Sequence, residues 1–224
     1  MKRVKKENIN TSEYWNNMME TTGVGMHANQ VVRYERIARH ITIAPCKVVD
    51  LGVGPGTCDS YIKAWRPKAE LTGVDLIKVG KDLKFTIVSD DGSEKEVNLF
   101  DNFVVGDVTK TGLPSGYFDY AISAEVLEHL EEPQKLIDEM YRLLNPQGRA
   151  ILSTPYLNRA FSEEHIWSFD FDDVTQMFTK AGFKKVWATP VASGGLHLGY
   201  AESLKNPQGN WDSIWTLASK GGEI

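Results

Sequence analysis

Three polar side chains stand close together at positions 125 to 129, and their types could do chemistry. Glu125, Glu128 and His129 are spaced i, i+3 and i+4, so a helix here would present two carboxylates and an imidazole on one face. Such a set can bind a divalent cation or serve as a proton acceptor. The alternative is an amphipathic turn whose apolar neighbours pack inward while the polar side chains lie in water. The spacing leaves both interpretations open.

A glycine-rich turn lies further towards the amino terminus. Residues 48–51 have the composition of a buried strand, and helical periodicity begins at Thr57. Between them stand Gly52, Gly54 and Gly56. Glycines allow a ligand to approach the backbone, and the first turn of a helix offers unpaired N–H groups to an anion. The dinucleotide pattern G-x-G-x-x-G places its third glycine one residue later, and a turn without a ligand is the remaining alternative.

Carboxylates follow two further predicted strands. A second strand over residues 70–76 ends near Asp75, about twenty residues beyond the glycine turn, where an acidic residue of a βαβ unit binds ribose hydroxyls. A third strand over residues 103–108 ends near Asp107, and a fourth covers residues 117–123. Ligands of parallel α/β sheets bind at the carboxyl ends of strands, so we expect both carboxylates at one edge. A helix or turn cap is the alternative role for Asp75.

Length and composition favour one α/β domain over residues 1–224. The net charge of −5 disfavours broad electrostatic contact with nucleic acid. Cys46 and Cys58 are too far apart for a C-x-x-C motif and predict reduced thiols in a cytoplasmic protein. No apolar run reaches about eighteen residues, so we expect neither a membrane span nor a targeting segment.

The remaining sequence patterns predict the elements around these residues. Two helices are expected within residues 1–44, and the link between them, residues 21–27, has the composition of either a lid or a surface loop. Residues 84–100 predict a β-hairpin inserted between the second and third strands. The later elements are predicted as a strand over residues 148–156, a helix over residues 170–181, and strands over residues 183–187 and 213–218.

Four motifs, in their order and spacing, resemble those of class I S-adenosylmethionine-dependent methyltransferases. They are Asp50-Leu51-Gly52-x-Gly54-Pro55-Gly56, Gly73-Val74-Asp75, Gly106-Asp107-Val108, and Leu113-Pro114 followed by Phe118-Asp119. Four ordered motifs are more specific than one glycine turn. The resemblance covers residues 46–190 and implies an α/β, Rossmann-like three-layer sandwich. Its sheet would have seven mostly parallel strands with an antiparallel last strand.

The same resemblance implies an S-adenosylmethionine site at the carboxyl ends of the strands. Asp50 and the glycines would lie under the methionine part, Asp75 would bind the ribose hydroxyls, and Asp107 would bind the adenine amino group. Carboxylates accept hydrogen bonds from hydroxyl and amino donors, which suits these roles. The predicted cofactor-binding residues are Asp50, Gly52, Gly54, Gly56, Asp75, Leu76, Asp107, Val108 and Ala124.

The Glu-x-x-Glu-His stretch, together with a later Ser-Thr-Pro and His165, is similar to plant small-RNA 2′-O-methyltransferases and, more loosely, to ubiquinone-pathway and sugar O-methyltransferases. In the small-RNA enzymes two Glu and two His hold a divalent metal on the ribose diol. Residue matching implies Glu125, Glu128, His129 and His165 as metal ligands, a set that suits Mg²⁺, Mn²⁺ or Fe²⁺ better than structural zinc. The alternative is that His129 or His165 is the catalytic group, as substrate contact or general base.

These features predict methyl transfer from S-adenosylmethionine to a small hydroxylated metabolite, sugar-like or aromatic, by O-methylation. Tyr156, Phe161, Trp167 and a loop over residues 191–210 are expected near the substrate mouth. The partner would be a small molecule rather than nucleic acid or a membrane, and no pattern indicates an oligomeric state.

Three other functions fit parts of the sequence. Metal-assisted 2′-O-methylation of a nucleotide or RNA end follows from the Glu-x-x-Glu-His similarity. A nicotinamide-dependent oxidoreductase is disfavoured because Thr57 stands where the dinucleotide pattern has glycine. A cofactor-binding protein without catalysis fits the same cofactor motifs.

Overall fold

Helices and strands alternate along most of the chain in the computed structural model, which describes residues 1–22, 28–43, 45–78, 82–88, 92–157, 162–192 and 211–222. The helices are α1 (Ser12–Thr22), α2 (Ala28–His40), α3 (Thr57–Trp65), α4 (Pro133–Leu143) and α5 (Phe171–Ala181). The strands are β1 (Lys2–Arg3), β2 (Lys47–Leu51), β3 (Glu70–Asp75), β4 (Lys84–Val88), β5 (Glu94–Asn98), β6 (Asn102–Val105), β7 (Phe118–Ala124), β8 (Leu144–Pro155), β9 (Trp167–Ser168), β10 (Lys185–Ala192) and β11 (Trp211–Ser219).

A seven-stranded sheet forms the central layer, in the order β10-β11-β8-β7-β2-β3-β6. Strand β2 is parallel to β3 and β7, β7 is parallel to β8, and β3 is parallel to β6. Strand β11 is antiparallel to both β8 and β10. This order confirms the predicted Rossmann-like sheet with an antiparallel last strand. The carboxyl ends of β2, β3, β6, β7 and β8 therefore meet at one edge.

Two apolar cores cover the two faces of this sheet. Helices α4 and α5 pack on one face, where Leu136 is fully buried, and α2 and α3 pack on the other, where Ile62 is fully buried. Adjacent residues of β2 point to opposite cores, Val48 to one and Val49 to the other. Continuous apolar strands are expected when a parallel sheet is covered on both faces. The arrangement confirms the three-layer sandwich.

Local sequence signals set several helix ends. The N–H of Tyr14 donates to Thr11 Oγ1 at 3.1 Å at the start of α1. Helix α5 begins with a capping box formed by Asp170 and Asp173 and ends at Gly182, whose φ of 105° is left-handed. Helix α4 was not predicted, although Pro133 occupies its first turn, a position that proline favours.

The predicted β-hairpin is present as a separate two-stranded sheet of β4 and β5 between β3 and β6. Leu83, just before β4, packs against the beginning of α3. A Cβ on Gly56, which has a φ of 71°, would overlap Leu83 Cδ1. Gly56 therefore lets the inserted hairpin pack close to the glycine turn.

The amino-terminal residues form a second small sheet that the sequence did not predict. Lys2 pairs with Ser168 and Arg3 pairs with Trp167, which joins β1 to β9. The Arg3 guanidinium also donates to Glu131 Oε2 at 3.0 Å and lies 5.6 Å from the centre of the Trp167 ring. These contacts hold α1 beside the carboxyl edge of the main sheet.

Expectations about the chain as a whole have mixed outcomes. Cys46 and Cys58 are buried free thiols, as predicted. None of the helices in the described part of the chain has the length and apolar character needed to cross a membrane. Most of the proposed lid over residues 21–27, most of the loop over residues 191–210, and Phe161 lie outside the described residues.

Two buried threonines on adjacent strands allow a matched test of hydrogen bonding at the sheet edge. Thr154 on β8 donates to Glu128 Oε2 at 3.0 Å, whereas Thr216 Oγ1 on β11 has no hydrogen-bond partner among the described residues. Thr154→Val should lower the free energy of unfolding by about 1–3 kcal/mol because a buried carboxyl group loses its donor. Thr216→Val removes an unpaired hydroxyl and should leave it unchanged or raise it. Denaturant unfolding measures both, and equal losses would contradict this account.

Candidate functional site

A cavity of about 750 Å³ follows the carboxyl edge of the sheet. One end is formed by the glycine turn and by the loops after β3 and β6. The other end is formed by residues 124–132 after β7, by residues 164–165 before β9, and by α1. All the predicted cofactor-binding and metal-binding residues line this cavity except Gly56, which packs against Leu83 instead.

At the first end, Asp75 ties β3 to the glycine turn. Its Oδ2 accepts from the N–H of Gly54 at 2.8 Å and its Oδ1 accepts from the N–H of Ile77 at 3.0 Å. Burial raises the pKa of Asp75, and these amide bonds oppose that shift. Gly54 has a φ of 52°, and a Cβ built there would have no described atom within 4 Å. A side chain at this position would therefore project into open space.

The loop after β6 contributes the other predicted carboxylate. Asp107 Oδ1 accepts from the N–H of Thr109 at 2.8 Å and from its hydroxyl at 2.7 Å. These two hydrogen bonds orient the carboxylate, and neither of them involves its second oxygen, Oδ2. Val108 beside it is buried, whereas Leu76 after β3 is 40% exposed.

At the second end, Glu128, His129 and His165 form a cluster whose possible ligand atoms all lie within 4.8 Å of one another. Glu128 Oε1 is 3.7 Å from His129 Nε2 and 3.9 Å from His165 Nε2. Burial, and then the nearby Glu125, raise the pKa of Glu128 well above its usual range. Its Oε1 and His165 Nδ1 are buried without a hydrogen-bond partner among the described residues.

The backbone of residue 164 orients the ring of His129. His129 Nδ1 is 3.2 Å from the carbonyl oxygen of Glu164, and because a carbonyl only accepts, we assign the ring proton to Nδ1. Nε2 then presents its lone pair on the Glu128 side. Burial, and then the neighbouring His165, lower the pKa of His129 to about 4, and burial also lowers the pKa of His165. Both rings are therefore neutral near pH 7.

Of the helix and the turn that the spacing left open, this stretch forms the turn, but its polar side chains line the cavity instead of lying in water. Glu125 has a φ of 57°, and only a short 3₁₀ turn, Leu127–His129, follows it. The N–H of Glu125 donates to the carbonyl oxygen of Ser153 on β8 at 2.9 Å, so the sheet holds this residue in the left-handed region. Such a conformation costs about 1–3 kcal/mol in a residue other than glycine. The tight turn, rather than a helical face, brings Glu128 and His129 together.

The two distances from Glu128 to the histidines are short enough for a shared metal ion. Two ligand atoms about 2.1 Å from one ion can lie no more than about 4.2 Å apart, and both Glu128–His distances are shorter than that. One carboxylate and two imidazoles form a donor set suited to Mn²⁺ or Fe²⁺. Glu125, the fourth predicted ligand, lies outside the 4.8 Å group, and its Oε2 is 3.3 Å from Arg33 Nη1.

The amino-terminal segment supplies cavity residues that the sequence did not predict. Arg33 is 6% exposed, and besides Glu125 it reaches Ser213 Oγ on β11 at 3.2 Å. Trp15 sets its ring edge-on to His129 with centroids 5.0 Å apart. One signal was available for Arg33, because the spacing that buries Ile37 also places residue 33 on the buried face of α2. Nothing local identifies Trp15.

Two of the three aromatic residues expected at the mouth, Tyr156 and Trp167, lie elsewhere. Tyr156 stacks on Phe171 with ring centroids 5.0 Å apart, and Trp167 Nε1 donates to the carbonyl oxygen of Leu130 at 2.9 Å. Neither lines the cavity, whereas Trp15 and Tyr34 do. The aromatic side chains that line the cavity therefore come from α1 and α2, which precede the sheet in sequence.

Comparison with known proteins places this geometry in a family. The chain is 26% identical over 136 residues to the ubiquinone biosynthesis O-methyltransferase of Coxiella burnetii, which covers 61% of this chain and 54% of that protein. It is 28% identical over 197 residues to the chloroplastic 2-methyl-6-phytyl-1,4-hydroquinone methyltransferase of Arabidopsis thaliana. That match covers 80% of this chain and 54% of the Arabidopsis protein. The chain spans about half the length of the curated relatives it matches.

A solved structure and a family model complete the comparison. The fold is similar to that of Burkholderia thailandensis 1,6-didemethyltoxoflavin-N1-methyltransferase, solved with 1,6-didemethyltoxoflavin and S-adenosylhomocysteine, with a TM-score of 0.62. That match has 17% identity and covers 97% of this chain and 93% of the other, so it supports the fold alone. A model described as a methyltransferase domain matches residues 29–188. The chain therefore belongs to the methyltransferase-domain family.

Proposed function

We propose that this chain binds S-adenosylmethionine in the cavity and transfers its methyl group to a small hydroxylated acceptor. The observation that carries the proposal is the continuity of the cavity, which joins the glycine and carboxylate end to the Glu128–His129–His165 cluster. A methyl donor and its acceptor must meet in line within one space from which water is excluded. A cavity of about 750 Å³ has the size of a typical small-molecule site.

In this proposal each part of the cofactor has a matching group. Asp75 binds the ribose hydroxyls, Asp107 binds the adenine amino group, and Val108 contacts the ring. Gly54 leaves space for the methionine part, whose ammonium faces Asp50. The buried Arg33 supplies the positive charge for the cofactor's carboxylate, a role that follows from its position on the cavity wall.

The charges on the wall favour a neutral or cationic acceptor. Arg33 and Lys135 are its only Arg and Lys side chains among the described residues. Its carboxylates are Asp50, Asp75, Asp107, Glu125, Glu128, Glu131, Glu132 and Glu164. A phosphate or carboxylate on the acceptor would meet a wall on which acidic side chains outnumber basic ones. Val126, Leu130 and Trp15 give that end apolar surface suited to an aromatic or sugar-like molecule.

Proton removal from the acceptor hydroxyl is assigned to the histidines. His129 Nε2 carries a lone pair when Nδ1 donates to Glu164, so it can accept the hydroxyl proton in the transition state, as a weaker base than a free imidazole because its pKa is lowered to about 4. A divalent ion held by Glu128, His129 and His165 would lower the pKa of the acceptor hydroxyl and fix a diol. Glu125 would then act as a charge near the ion rather than as a member of the tight cluster.

Ribose 2′-O-methylation of a nucleotide or RNA end is the second candidate. Its support is the same cluster, since a ribose diol could bind there as a sugar diol would. The acidic wall argues against this candidate, because its negative charges repel the phosphates that accompany every RNA terminus.

A pair of glycines tests cofactor binding. Gly54 and Gly92 both have positive φ, 52° and 80°, and a Cβ on either meets no described atom within 4 Å. Gly54→Ala should weaken S-adenosylhomocysteine binding about tenfold or more, because its methyl group enters the cavity. Gly92→Ala carries similar backbone strain on the inserted hairpin and should leave binding unchanged. Calorimetry measures both, and NAD should give no heat; unchanged affinity in folded Gly54→Ala would refute the assignment.

Metal binding is tested on protein freed of metal by a chelator. Each chain should bind one Mn²⁺ ion. Glu128→Gln and His165→Asn should each weaken the affinity for Mn²⁺ by at least about tenfold. His40→Gln is the control, because His40 lies against Trp215 outside the cavity. Electron paramagnetic resonance of free and bound Mn²⁺ gives the affinity without any activity assay. Should neither Mn²⁺, Mg²⁺ nor Fe²⁺ bind, the histidines alone would remain as proton acceptors.

The acceptor class is tested by measuring S-adenosylhomocysteine formation on a panel of hydroxylated compounds. Neutral vicinal diols, both catechols and sugars, should be methylated with kcat/KM at least about tenfold above that of their phosphorylated analogues, because of the acidic wall. Short RNA ends and amines complete the panel. Activity confined to RNA would favour the second candidate, and no product from any compound would support cofactor binding without catalysis.

A further inference from the structure

Two carboxyl groups are buried side by side beneath the glycine turn. Asp50 lies on β2 and Asp59 in the first turn of α3, and they are 2% and 0% exposed. On either side of the glycine turn, the two carboxyl groups are near enough that each alters the pKa of the other. Asp50 Oδ1 and both oxygens of Asp59 have no N–H or O–H donor among the other described residues. Asp50 lines the cavity and Asp59 does not.

Two adjacent carboxylates in such a place cannot both be ionised. Each lacks solvent, and their like charges repel at short range, so the pair must hold at least one proton. A proton on Asp59 is the arrangement that fits, because Asp59 does not line the cavity and neither of its oxygens accepts from another described residue. Its O–H then donates to Asp50, which leaves Asp50 as the partner facing the cavity.

The groups around the pair include one cation, and that cation is shared with another carboxylate. Asp75 faces it from β3, Cys58 from α3, and Tyr34 and Arg33 from α2. Of these four, Arg33 is the cation, and it already contacts Glu125 at 3.3 Å. Burial raises the pKa of Asp50 to about 7 and raises the pKa of Asp59 well above its usual range, with Asp50 adding to the shift of Asp59.

We propose that Asp59 is a positioning residue that stays protonated, donates a hydrogen bond to Asp50, and thereby prepares Asp50 to exchange a proton for the cofactor's ammonium group. This inference rests on the proposed function for the identity of the cofactor. When the ammonium enters, Asp50 loses its proton to solvent through the cavity, and the proton on Asp59 remains. The net change is one cation bound and one proton released, with no bond made to carbon.

Two consequences follow for cofactor affinity. Because the ammonium binds ionised Asp50, affinity rises with pH until Asp50 is ionised without ligand, by at most about tenfold per pH unit. Because Asp59 donates to the ionised form, it lowers the pH at which Asp50 ionises. If Asp59 were ionised instead, its negative charge would attract the ammonium directly. Cofactor affinity would then depend on that charge and not on a hydrogen-bond donor at position 59.

Two substitutions of similar size distinguish three possible roles of the Asp59 side chain: hydrogen-bond donor, negative charge and packing. Asp59→Asn keeps a donor and cannot ionise, so it should bind S-adenosylhomocysteine with the wild-type pH profile. Asp59→Leu fills the space without a donor, so its profile should shift to higher pH by about one unit or more, with a loss of about tenfold near pH 7 that shrinks near pH 8.5. Calorimetry near pH 6 in two buffers of different ionisation enthalpy should show proton release by the wild type.

Several outcomes would overturn the proposal. Loss of binding in Asp59→Asn would show that Asp59 acts as a charge, and a loss in Asp59→Leu by the same factor at every pH would show a packing role. A ligand-free measurement keeps this test apart from the identity of the cofactor. In ¹³C spectra of the aspartate carboxyls, one carboxyl should titrate near pH 7 and one should remain protonated above it. If both carboxyls titrated below about pH 5, the proposed proton-sharing pair would be refuted. If one titrated near pH 7 and one stayed protonated, but S-adenosylhomocysteine did not bind, the pair would be supported and the identity of the cofactor refuted.

Discussion

The contact between Gly52 and Val126 is the constraint on which the geometry of the cavity depends. Gly52 has a φ of 94°, and any Cβ there would overlap Val126 Cγ2. Val126 can reach the glycine turn because Glu125 before it is left-handed and fixed to the carbonyl oxygen of Ser153. The same reversal sends Glu125 towards Arg33 and places Glu128 among the histidines. A single close approach therefore sets both halves of the cavity in register.

The two halves differ in how their carboxylates are satisfied. Asp75 and Asp107 accept from backbone amides and a threonine hydroxyl, so that end is ordered before any ligand arrives. Glu128 has one donor, Thr154, and its other oxygen is unpaired among the described residues. Unsatisfied buried polar atoms raise the energy of the empty site, and a ligand that supplies the missing partner recovers that energy. The surroundings of Asp75 and Asp107 are therefore preorganised, whereas Glu128, like Asp50, keeps an oxygen without a donor among the described residues.

Much of the fold and of the first half could be predicted because the signals are local. Apolar runs ending in Asp75 and Asp107, the glycines before α3, and the caps of α5 each depend on a few neighbouring residues. Tertiary contacts decided the rest. Spacing alone left a helix and a turn open through Glu125, whereas the hydrogen bond of its N–H to Ser153 on β8 selected the tight turn. Asp59, Arg33 and Trp15 are placed by contacts with elements distant in sequence, and a single sequence carries no record of such pairings.

The small sheet of β1 and β9 has a consequence for how molecules enter and leave. It joins two residues on each side, yet it holds the segment that carries Trp15 across the second half of the cavity. Releasing so few backbone bonds costs far less than opening the seven-stranded sheet, and the least stable unit of a protein opens most often. Detachment of this segment would therefore open the second half of the cavity while the strands that border the first half, β2, β3 and β6, stay paired.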